Sequence, residues 1–168
     1  MKARLLFILS ALVLQGCGTL AYTPMEWSVR EGVIPRFDVA GSVKFENAQT
    51  AAGPAIVYSY GGTKLVSTYQ TITALMTEQA ENELRKNGNL RNGVVKKIEL
   101  KVTLLRSRYI AFFWKSVMEY EVRLGAGEII KKHVTHGSGN VQQDLNGCIA
   151  EGVIELFKDE KVKAYLAM

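Results

Sequence analysis

Lys97-Ile98-Glu99-Leu100-Lys101-Val102-Thr103-Leu104 decides the fold class, together with the stretch from Trp114 to Leu124. In the first stretch Ile98, Leu100, Val102 and Leu104 are apolar, and the residues between them are charged or polar. A period of two puts one set of side chains on each face of a strand, so this is a half-buried strand. In the second stretch Trp114, Met118, Tyr120, Val122 and Leu124 alternate with Lys115, Val117, Glu119, Glu121 and Arg123. Gly125-Ala126-Gly127 is a hairpin turn leading to a third strand over Ile129 to His136. The three read as an antiparallel meander with one polar face.

Outward from this meander the period changes. Val141, Leu145, Ile149, Val153 and Phe157 form the apolar stripe of a final helix, opened by Asn140 with Gln143 as a capping box. On the N-terminal side, Leu65, Tyr69, Ile72, Met76, Ala80 and Leu84 mark one face of another helix, stopped at Asn87-Gly88. Phe37 to Phe45 alternates as a strand, Asn47 to Pro54 is a loop, and Ala55 to Tyr60 is a second short strand closed by Gly61-Gly62. The order is β(β)αβββα. It predicts an α+β two-layer sandwich over residues 36–168, with a mostly antiparallel sheet of 4–5 strands and two helices on one face.

The whole chain has 168 residues, 48% hydrophobic and 22% charged, with a formal net charge of +5. That composition excludes an intrinsically disordered chain and a multi-span membrane protein. The N-terminus stands apart. Lys2 and Arg4 precede an apolar run from Leu5 to Leu14, broken only by Ser10. A spanning helix needs about 20 apolar residues, so the run is expected to be a signal peptide over 1–16. Leu14-Gln15-Gly16-Cys17 resembles the bacterial lipobox, with an aliphatic residue three before a cysteine and a small residue directly before it. The resemblance implies cleavage before Cys17, diacylglycerol on its thiol, and N-acylation such as palmitate on the new amine. It also implies a membrane held through that lipid. Gly18, where an Asp would signal inner-membrane retention, implies the inner leaflet of the outer membrane, facing the periplasm. Residues 17–35, with Pro24 and Pro35, are expected to be the lipidated end and an irregular tether.

The element layout is similar to that of YajG-like and LptE-like small envelope lipoproteins. Removing residues 1–16 takes away two of the 21 basic residues, so +5 overstates the basic character of the mature chain. No Lys/Arg cluster with interleaved aromatics points to nucleic acid. With Cys17 lipidated, Cys148 has no intrachain partner, and its apolar neighbours suggest a buried thiol.

Arg106-Ser107-Arg108-Tyr109-Ile110-Ala111-Phe112-Phe113-Trp114-Lys115 is the most informative candidate site. Arg108, Tyr109, Ile110, Phe112, Phe113 and Trp114 fit a membrane-surface or protein-partner contact if exposed. Otherwise they are ordinary strand and core residues around a turn near Ile110-Ala111. His133 and His136 lie three apart on a strand, on opposite faces, and therefore cannot share a metal. Glu119 and Glu121 share a face with Lys115 and Arg123 and read as a solvated charge ladder. Ser138 lacks the G-x-S-x-G spacing of a nucleophile loop. Gly61-Gly62-Thr63-Lys64 reads as a helix-start turn rather than a phosphate loop. No catalytic residue, metal or cofactor beyond the lipid on Cys17 is expected. The function expected is a non-enzymatic binding or assembly module for an envelope protein partner. The alternative is an anchored carrier or enzyme with a pocket between helices and sheet.

Overall fold

A computed structural model describes residues 18–168. The lipobox residues Leu14, Gln15, Gly16 and Cys17 and the signal segment lie outside the described residues. The elements in chain order are β1 (Gly18–Ala21), β2 (Phe37–Ala40), β3 (Val43–Asn47), β4 (Pro54–Tyr60), β5 (Thr63–Thr68), α1 (Tyr69–Asn87), β6 (Gly88–Arg91), β7 (Lys96–Ile110), β8 (Phe113–Leu124), β9 (Ile129–Ser138), α2 (Val141–Lys158) and α3 (Glu160–Ala167). The fold is α+β, with a mostly antiparallel sheet and helices on one face.

β7 is the axis of the sheet. It pairs antiparallel with β8 from Ile98↔Leu124 to Ile110↔Phe113, and β8 pairs antiparallel with β9. On its other edge β7 takes two partners in succession. β3 runs parallel to it over Lys96 to Leu100, and β4 meets it, also parallel, at Ser107. β5 then pairs with β4, and β1 lies parallel to β5 at the sheet edge. Between β3 and β4 the backbone of Val102 has no strand beside it. There Gln49 Nε2 donates to Val102 O at 2.6 Å, and Val102 N donates to Thr73 Oγ1 at 3.0 Å. Two buried side chains thus replace a missing strand, which a buried backbone requires. A register shift between Val102 and Leu104 lets the strand continue, so Ile98, Leu100 and Val102 face inward before it and Leu105 and Ser107 after it.

The inward face of β7 and β8 meets α1 and α2. Ile72 and Met76 from α1, Leu145, Ile149 and Val153 from α2, and Met118 and Val122 from β8 are all fully buried. The opposite face carries the expected ladder, with Lys97 to Glu46 at 2.8 Å, Lys101 to Glu121 at 3.8 Å and Arg123 to Glu99 at 3.6 Å.

Five expectations need correction. The sheet has seven strands rather than 4–5, because β1 and β5 form in segments read as tether and helix, and β1 joins by a parallel pairing that hydrophobic alternation does not encode. The alternating run from Phe37 to Phe45 is two strands. It breaks at Gly41, whose φ of +85° and close approach to Val94 O suit only glycine, and β2 leaves to pair with β6. The helix begins at Tyr69 and not at Leu65. Leu65 lies on β5, and Thr68 is the N-cap, accepting from Thr71 N. Gly61-Gly62 is the turn of the β4–β5 hairpin rather than a helix start. A further helix, α3, follows Asp159, which accepts from Lys161 N and Val162 N.

The segment expected as an irregular tether is only partly irregular, and it is docked. After β1, the chain crosses the outer side of the helices. Tyr22 Oη donates to Asn146 Oδ1 at 2.6 Å, Gln79 Nε2 donates to Trp27 O at 2.7 Å, and Lys86 Nζ donates to Val29 O at 2.8 Å. Tyr22, Val29 and Ile34 are buried beneath it, while the side chains of Met25 and Trp27 stay largely exposed.

Candidate functional site

The β7–β8 hairpin ends in a two-residue turn, Ala111-Phe112, one residue later than the sequence suggests. Tight two-residue hairpin turns of type I′ need positive φ at both positions, which favours Gly and Asn. The β4–β5 hairpin meets that need with Gly61 (φ 57°) and Gly62 (φ 82°). The β7–β8 hairpin makes the same kind of turn with Ala111 (φ 31°) and Phe112 (φ 82°). A bulky residue at positive φ costs about 1–3 kcal/mol. Phe112 recovers none of this by packing, because it is 90% exposed.

The two hairpin tips sit side by side, since β4 runs parallel to β7 with Tyr58 opposite Ser107. Tyr60 and Tyr109 approach with ring centroids 5.3 Å apart, and Tyr109 and Trp114 with centroids 5.0 Å apart. Tyr60, which the sequence reading did not single out, is itself 60% exposed. Its signal lay in the Tyr-Gly-Gly turn, which only the pairing brings beside Tyr109. On the helix-free face, Leu104, Ile110, Val117, Arg106, Arg108 and Lys115 line a groove of about 300 Å³. Among the described residues none of Arg106, Arg108 and Lys115 makes an ion pair. Of the two readings of this stretch, Ile110, Phe112 and Phe113 are surface residues, Tyr109 is at the boundary, and Trp114 is half-buried.

The other candidates fall elsewhere. His133 points to the helix-free face, 3.8 Å from Glu119, and His136 points inward. Ser138 Oγ, at the end of β9, lies 3.4 Å from Gln143 Oε1 in the first turn of α2. Cys148 is buried, and desolvation pushes its thiol pKa up, so it is held as the neutral thiol.

A buried polar cluster lies just inside the same end of the sheet. Asp144, in the first turn of α2, has no solvent exposure. Ser107 Oγ donates to its Oδ2 at 2.7 Å, Ser116 Oγ donates to the same oxygen, and His136 Nδ1 lies 3.2 Å from Oδ1. Both hydroxyls therefore serve the carboxylate and not the imidazole, which is the opposite of a nucleophile–base pair. The α2 N-terminus adds favourable field to the carboxylate. This cluster ties β7, β8, β9 and α2 together. No local pattern in the sequence could have found it, because three of its members meet by strand pairing and Asp144 meets them by packing of α2 on the sheet.

The hydrogen bond to Asp144 raises the His136 pKa, with partial burial opposing it. A raised folded-state pKa stabilises the protein fully below the ordinary histidine range, and the gain is lost as pH rises through the raised value. In urea unfolding from acidic to alkaline pH, wild type should lose stability relative to His136→Gln across that window. Parallel curves would show that His136 is not linked to folding. A second variant addresses the turn. Ala111→Asn with Phe112→Gly installs the residues that the turn geometry favours, and should stabilise the domain by about 1–2 kcal/mol. A loss of stability would show that Phe112 is held by packing. The chain matches no family model, and no curated protein is similar to it in sequence.

Proposed function

We propose that this chain is a lipid-anchored envelope lipoprotein. Its domain acts as a non-enzymatic binding or assembly module, held on the inner leaflet of the outer membrane facing the periplasm. The observation that carries the reading is the Leu14-Gln15-Gly16-Cys17 motif directly behind the apolar run Leu5 to Leu14. One acyl chain holds a protein marginally, and two or more hold it stably. Confinement to a surface raises the effective concentration of an anchored module and its partner. The domain's architecture is compatible with this role. The layer between helices and sheet is filled by close-packed apolar side chains, including Ile72, Met76, Met118, Ile149 and Val153. This favours a surface that binds over a carrier that encloses a small molecule.

Cys17→Ala is expected to abolish signal cleavage and lipid addition, read as the intact mass of the membrane-fraction protein. Globomycin should block the cleavage in wild type. Unchanged mass and fractionation under both treatments would overturn the anchor. Crosslinking in intact cells followed by mass spectrometry should recover an envelope protein. Recovery of lipid or glycan alone would favour the carrier.

A further inference from the structure

The geometry points to a second membrane contact: the Ala111-Phe112 hairpin tip enters the headgroup region of the bilayer that holds the lipid on Cys17. This inference rests on the lipoprotein reading and deepens it. Three observations carry it.

The first is position. Gly18 is in register with Thr63, directly after the Gly61-Gly62 turn. Cys17 is bonded to Gly18, so an acylated Cys17 leaves the domain at the end of the sheet where both hairpin tips lie. β1, β5, β4 and β7 are successive neighbours, and three strand spacings of about 4.8 Å put the anchor's exit about 14 Å from the end of β7. Because β1 is paired to the sheet from its first residue, little slack separates the lipid from the folded domain.

The second is charge. The segments that reach this end are residues 18–21, 59–64, 106–117 and 135–140. They carry Lys64, Arg106, Arg108 and Lys115 and no Asp or Glu. At the opposite end Glu128, Asp159 and Glu160 are each paired with a lysine, Lys161, Lys132 and Lys163, so those charges are balanced there. The carboxylate of Asp144 lies beneath this end and is fully buried, so the exposed charges here are cationic, which suits anionic headgroups.

The third is the exposed aromatic tip. Phe112 occupies a backbone conformation that glycine fills in the neighbouring hairpin, and it projects into solvent. Tyr60, Tyr109 and Phe113 surround it with partly exposed rings. Aromatic residues ringed by Arg and Lys are the composition of a membrane interface.

Together the lipid and the tip fix the domain's orientation. The strands stand end-on to the bilayer, the Gly125-Ala126-Gly127 turn and α3 face the periplasm, and the charge-laddered sheet face stays open to a partner.

The test uses the full chain, purified after native processing and reconstituted in vesicles of phosphatidylethanolamine and phosphatidylglycerol. Ala111→Cys and Ile129→Cys, at opposite ends of the sheet, are labelled separately with an environment-sensitive fluorophore. Intact mass reports acylation of Cys17 in the same sample, and the buried Cys148 remains unlabelled. The expected result is a blue-shifted label at 111, quenched severalfold more by lipid-borne nitroxides than the label at 129. Acylated protein with equal, weak quenching at both positions overturns the second contact while leaving the anchor intact. A shift at 111 seen only in native envelopes, and not in vesicles, overturns it in favour of a protein partner. An unmodified Cys17 overturns the anchor, and the inference with it.

Discussion

The edge of β7 that receives β3 and then β4 governs the rest of the molecule. A strand running from Lys96 to Ile110 is longer than either partner, so its edge is shared and a gap opens at Val102. An unpaired buried peptide there would cost about 1–3 kcal/mol per group. Gln49 and Thr73 close the gap from a loop and from α1, so the helix layer is pinned to the sheet at its weakest point. Because β4 joins only at Ser107, the β4–β5 hairpin projects to the same end as the β7–β8 tip. The parallel pairing of β1 with β5 then brings the N-terminal end of the described chain there too.

The two tips differ in a telling way. Where the chain only has to reverse, it uses two glycines. Where it reverses beside them, it uses Ala111 and Phe112 in the same backbone region, against the conformational preference of both. The neighbourhood is also held at a cost, since Trp114 Nε1 is buried with no acceptor among the described residues. Stability lost locally and not recovered locally is what the proposed membrane contact of the tip would account for. Behind it, the Asp144 cluster fastens the ends of three strands to the start of α2, so the tip is carried on a rigid support.

Much of this was legible in the sequence. The alternation in Lys97 to Leu104 and in Trp114 to Leu124 located β7 and β8. The stripes at Ile72, Met76, Ala80 and Leu84, and at Leu145, Ile149, Val153 and Phe157, located the faces of α1 and α2 that are buried. Leu65 misled because it lies four residues before Tyr69, in phase with the helix, while it also faces inward on β5. β1 carries no periodicity at all and exists through its pairing with β5. Parallel pairings join segments far apart in sequence, and the Asp144 cluster forms only where the antiparallel β7–β8–β9 pairings set Ser107, Ser116 and His136 side by side beneath α2. The aromatic tip was visible as composition, but whether it was core or surface depended on a turn geometry that composition does not carry.

The central claim is that the N-terminal end and the aromatic tip occupy one end of the sheet. Paramagnetic relaxation in the NMR spectrum of the full chain tests it most directly, with a nitroxide at Ala111→Cys. β8 rises about 3.4 Å per residue, which puts the 125–129 turn about 40 Å from the tip, against about 14 Å from β1 to β7 across the strands. The account predicts strong broadening of the amides of Gly18 to Leu20 and of Thr63, with those of Gly125 to Ile129 unaffected. Broadening at Gly125 to Ile129, or none at Gly18 to Leu20, would contradict it.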